Sequence, residues 1–129
     1  MGVRDGVRVL LAIHNVYTEY TSGAARSVRT MMEWLAGDGH ACQVLSTARF
    51  ESTPDAELRS HLAQLGIEPR RHQAAAGCKL NNFALAGVAV TAMETHGHSP
   101  TDEDKEESRR FLAVFQDMLR RFRPDLVLT

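Results

Sequence analysis

The feature that most constrains this chain is residues 7–39, VRVLLAIHNVYTEYTSGAARSVRTMMEWLAGDG, where the apolar pattern changes its period. Residues 7–13 are apolar apart from Arg8, and a run rich in Val, Leu and Ile fits a strand buried on both faces of a parallel sheet. The next stretch, HNVYTEYTSG, is polar, aperiodic and closed by a glycine. It reads as a loop of about ten residues, long for a plain strand-to-helix connection and so a candidate functional loop. Beyond it Ala24, Val28, Met31, Met32 and Leu35 fall at helical spacing, with Ser22 as a candidate N-cap. Gly37 and Gly39 stop that helix, and residues 41–47, ACQVLST, form a second strand. A strand, a helix and a second strand within about forty residues make a βαβ unit, whose crossover is expected to be right-handed.

The remaining elements follow from local signals. Pro54 opens a second helix, PDAELRSHLAQLG, with Leu58, Leu62 and Leu65 on one face and Gly66 as its stop. Residues 67–73 are short and charged, which suits an edge strand. Residues 80–93, LNNFALAGVAVTAM, fit one or two short strands bending at Gly87, while the alanines leave a helix open. After a polar, turn-rich stretch over residues 94–104, a long helix runs to about Phe122. Phe111, Phe115, Met118 and Phe122 make its core face, with Leu112 and Leu119 beside them. Asp102, Glu103 and Asp104 at its start and Arg120, Arg121 and Arg123 at its end complement the helix dipole. Pro124-Asp125 ends it, and residues 126–129 begin another apolar strand. Strands alternating with helices predict a single α/β domain over residues 1–129, three-layered and Rossmann-like with a mainly parallel sheet. In such folds the ligand groups lie beyond the carboxyl ends of the strands. A chain that stops at a strand is therefore expected to be incomplete at its C-terminus.

Composition excludes several classes. The formal net charge of −1 over 129 residues argues against a nucleic-acid binder led by bulk charge. The pairs Arg70-Arg71, Arg109-Arg110 and Arg120-Arg121 lie beside acids or at element ends and read as solvated faces. Cys42 and Cys78 have no framework spacing and read as reduced thiols of a cytoplasmic protein. There is no run long enough to span a membrane and no signal-peptide core at the N-terminus.

No dinucleotide fingerprint, P-loop or nucleophile elbow is present, so neither a cofactor nor a metal is expected. His96-Gly97-His98 has the spacing of a metal pair but no third ligand nearby in sequence, and an incidental role is the better reading. His40 follows a glycine and reads as a turn residue. The candidate ligand surface is the strand–glycine–helix junction, where Gly23 and the free N–H groups of the helix start form an anion or hydroxyl site. Its candidate binding residues are Ser22, Gly23 and Ala24, with His14 at the carboxyl end of the first strand and Tyr17 in the loop. Tyr17, Glu19 and Tyr20 suit either a polyhydroxyl ligand or packing of the loop onto the helix.

In order and spacing these pieces resemble the opening of the retaining GT-B glycosyltransferases, the family-4-like group that includes glycogen and mannosyl transferases. The match runs through Gly23-Ala24 and Arg26, Leu35-Ala36, Gly39-His40, Val44 and Thr47. Residues 123–127, RPDLV, are similar to the strand that closes the first half of those enzymes' N-terminal domain. The chain departs from the family's Gly-Gly-Ala-Glu-Arg loop at Ser22 and Ala25. The resemblance implies half of a GT-B fold, the acceptor-side domain of an enzyme that moves a sugar from a nucleotide-sugar donor to a sugar or lipid acceptor. It also implies a missing C-terminal domain that holds most donor contacts, so the chain alone would be inactive and supply no catalytic residue. A second copy covering exposed surface is a further expected partner. The competing expectation is a non-catalytic Rossmann- or flavodoxin-like module that works by docking.

Overall fold

The computed structural model describes residues 6–13, 16–18, 23–47, 58–74, 77–94 and 102–129. They form an α/β fold with one six-stranded mixed sheet and, among the described residues, three helices. The elements are β1 (Arg8–Ala12), α1 (Gly23–Gly37), β2 (Ala41–Thr47), α2 (Leu58–Gln64), β3 (Arg70–Gln73), β4 (Lys79–Leu85), β5 (Val88–Met93), α3 (Asp102–Phe122) and β6 (Leu126–Leu128). Their order in the sheet is β3-β4-β5-β2-β1-β6.

The pairs β1–β2, β1–β6 and β2–β5 are parallel, whereas β4 runs antiparallel to both β3 and β5. The sheet is therefore more mixed than the apolar runs led one to expect. Ala86 and Gly87 are the reason, because both hold positive φ, 50° and 81°. That backbone closes a two-residue hairpin and sends β5 back along β4. Residues 80–93 accordingly form two strands and not a helix.

Alternation along each strand splits the core between the two faces of the sheet. On one face Val9, Leu11, Val44, Val88 and Val90 pack with Met32, Val28 and Leu35 of α1. On the other, Leu45, Leu80 and Met93 pack with Val114, Phe111, Phe115 and Met118 of α3. Leu58 and Leu62 of α2 join Val16 and Ala92, so α2 sits beside the carboxyl ends of β1 and β5. Each apolar stripe is narrower than its spacing implied: Met31 is 40% exposed and Leu112 is 53% exposed. The predicted start of α2 at Pro54 and most of the 94–104 stretch lie outside the described residues.

The charged helix ends behave as solvated faces. Arg120 and Arg121 pair with Asp117, Arg109 and Arg110 with Glu106, and Arg71 with Glu94. Cys42 and Cys78 are free, buried thiols, and burial pushes both above the usual thiol range. No helix among the described residues is long and apolar enough to cross a membrane.

Candidate functional site

The four parallel strands lie in the order β5-β2-β1-β6. The chain runs outward from β1 through β2 to β5, then crosses back to place β6 on the other side of β1. The winding reverses between β1 and β6. Open α/β sheets take ligands in the crevice beyond the carboxyl ends at such a reversal. Here that edge carries Ile13, residues 16–18 and the first turn of α1.

At the start of α1, Gly23 is exposed, and a Cβ built on it would meet nothing within 4 Å. Nothing within the described chain therefore requires a glycine there. Gly23, Arg26, Ser27 and Thr30 border an open recess of about 530 Å³. The first turn holds no acidic side chain, so the positive end of the helix is uncompensated within it. Arg26 adds a guanidinium that makes no hydrogen bond or ion pair among the described residues. Ser27 and Thr30 are turned inward: Ser27 Oγ donates to the Gly23 carbonyl at 3.0 Å and Thr30 Oγ1 to the Arg26 carbonyl at 2.9 Å. Arg26 is the charged group that borders the recess.

The other predicted site residues separate. Ala24 is the second residue of α1, so its N–H belongs to that first turn. Ser22 and His14 lie outside the described residues, as do His96 and His98. Of the two roles open to Tyr17, packing is the one its ring performs here. It is 1% exposed, packed in the α1 core, and its hydroxyl has no hydrogen-bond partner. Burial first, then the negative charge of Glu33, push its phenol well above the usual range, against a smaller opposing effect of Arg29. His40 is a structural residue: its Nδ1 accepts the Val7 N–H at 3.0 Å and ties the start of β1 to the α1–β2 turn.

No protein-family model, curated protein or solved structure matches the chain.

One pair on that edge had no sequence signal. Thr18, fully buried, shares a 2.8 Å hydrogen bond between its Oγ1 and Nε2 of His61 on α2. The two residues are 43 positions apart and belong to no motif, so only the docking of α2 against the β1 loop joins them. The bond ties Thr18 to α2. Among the described residues no group of three or more His, Cys, Asp or Glu side chains could hold a metal ion.

Proposed function

We propose that this chain is the acceptor-side, Rossmann-like half of a retaining GT-B glycosyltransferase, with the first turn of α1 as one wall of the sugar-transfer cleft. The observation that carries this reading is the open, acid-free start of α1 at the reversal of the parallel strands. Numbered among themselves, the parallel strands run 3-2-1-4, the first four of the Rossmann order. Helices on both faces of the sheet fit the three-layer arrangement of such a half.

In this reading the N–H groups of residues 23–25 donate to diphosphate oxygens of a nucleotide-sugar donor or to hydroxyls of the acceptor, and Arg26 supplies opposing charge. The N–H groups are held by the helix before the donor binds, so they stabilise charge on a departing diphosphate without reorganising. Ser22 and His14 are further binding residues in this reading, and Tyr17 packs against α1. A second nucleotide-binding domain supplies the remaining donor contacts, so transfer needs that domain and the chain alone is inactive. The buried, free thiols suit the cytoplasm.

The test is an amide chemical-shift titration with UDP-glucose, GDP-mannose and inorganic pyrophosphate. Saturable shifts confined to residues 23–26, weakened by salt and by Arg26→Ala, are expected. No response at these amides with any of the three would overturn the reading.

A specific observation also supports the docking module. β6 is at the sheet edge, with Leu126 49% and Val127 38% exposed, and an apolar edge strand favours covering by another surface. A partner that protects β6 without disturbing residues 23–26 would support that reading in place of the first.

A further inference from the structure

A second recess lies away from the α1 cleft, under α2. Its floor is Asn81 of β4, a residue type that strands disfavour, and here it is 0% exposed. A buried amide must satisfy both its nitrogen and its oxygen. Asn81 Nδ2 reaches the Ala92 carbonyl at 3.5 Å. Its Oδ1 accepts from nothing. Native proteins rarely leave such an acceptor without a donor.

The recess above Asn81 has a volume of about 400 Å³, within the range of small-molecule sites. Arg59 of α2 and Glu68 of the turn into β3 border it, both exposed and, among the described residues, without an ion pair. Arg71 of β3 contributes a third charge. It holds Glu94 in a two-point pair, Nε at 2.8 Å and Nη2 at 3.0 Å, which leaves Nη1 for another acceptor. Ile67 and Pro69 add apolar surface.

These groups select one ligand chemistry. A free guanidinium takes a planar carboxylate through two parallel hydrogen bonds. An orphan acceptor needs a donor on the same ligand. Phosphate supplies mainly acceptors and so leaves the Asn81 oxygen poorly served. We infer that this recess binds a small hydroxy acid or amino acid, its carboxylate on Arg59 and its hydroxyl or ammonium group on Asn81 Oδ1. Asn81 is sealed from water, so binding must displace the Arg71 side chain, 36% exposed, to open Oδ1 to the ligand's donor.

The inference is independent of the sugar-transfer reading, because its residues are distinct from residues 22–26. The test titrates the isotopically labelled chain with L-malate and L-glutamate, with succinate as the donor-free control and inorganic phosphate as the anion control. Saturable shifts are expected at the Ile67 amide, the Asn81 side-chain amide and Arg71 Nε. Malate or glutamate should bind at least about tenfold more tightly than either control. Which of the two binds identifies the donor as hydroxyl or ammonium. Arg59→Met should weaken binding by about tenfold or more and leave the unfolding midpoint unchanged, because Arg59 is exposed. The proposal is overturned if neither acid saturates these signals. It is equally overturned if a control binds as tightly, or if Arg59→Met leaves the affinity intact.

Discussion

Asp125 and Arg8, 117 residues apart, clamp the first and last strands by two reciprocal hydrogen bonds. The Arg8 N–H donates to Asp125 Oδ2 at 2.8 Å, and the Asp125 N–H donates to the Arg8 carbonyl at 2.8 Å. The clamp sits one step before the Val9–Leu126 pair and so sets the register of β6 on β1. It gives a physical role to the acid of the Pro124-Asp125 dipeptide, which from sequence alone served only as a helix stop.

Asp125→Ala should therefore loosen β6 selectively. The lost bond is charge-assisted but exposed, so the expected destabilisation is about 1 kcal/mol. Hydrogen exchange is the informative measurement. Protection of β6 amides should fall while β2 and β5 keep theirs. Unchanged protection in β6 would show that the strand pairing alone sets the register.

Gly23→Ala separates folding from binding. Open space around a built Cβ and a helical position predict a gain of about 0.5–1 kcal/mol from helix propensity and unfolded-state entropy. If residues 23–26 approach a ligand closely, the same variant should weaken the pyrophosphate-induced shifts. Thermal unfolding and the titration, run on one sample, give both readouts. A stabler variant with intact binding would show that Gly23 makes no close approach.

Tyr17→Phe should stabilise the protein by about 1 kcal/mol at neutral pH, because it removes a buried hydroxyl that has no partner. Its pH dependence has a definite sign. The folded phenol titrates above the ordinary value of 10.0, so above about pH 10 the unfolded chain releases its proton first and stability falls. The contribution is fully present below that pH and lost as pH rises. Denaturant unfolding from pH 8 to 11 should show a smaller alkaline loss in Tyr17→Phe than in the parent. Equal slopes would mean the hydroxyl is solvated.

Ala86→Asn tests the β4–β5 turn. An alanine at φ 50° is strained, and Asn-Gly is the sequence that a two-residue turn with two positive φ values prefers. The expected gain is about 0.5–1 kcal/mol, read as a higher urea midpoint at constant slope. A lower midpoint would argue against the left-handed turn.

Much of the fold was legible in the sequence because it is written in local periods. Residues 41–47 follow a glycine stop and carry the strand-forming Val44 and Thr47, and residues 111–122 repeat Phe and Leu at helical spacing. The candidate site was legible only as a junction. Gly23 stood out because it sits between a strand and a helix, whereas Thr18 and His61 carry no mark of partnership until α2 docks. Tyr17 was ambiguous because an aromatic with a polar tip serves core or ligand equally well, and burial alone decides.

Local pattern was enough to place most strands and helices and the start of α1, while residues 80–93 stayed open between strand and helix. Those properties depend on neighbours within a few residues. It took the assembled sheet to run β4 against the parallel strands, to pair β6 with β1 at the sheet edge, and to seal Asn81 beneath α2 with an unpartnered oxygen. Each of these depends on which strand fills which place in the sheet, a choice made by packing between residues far apart in the chain.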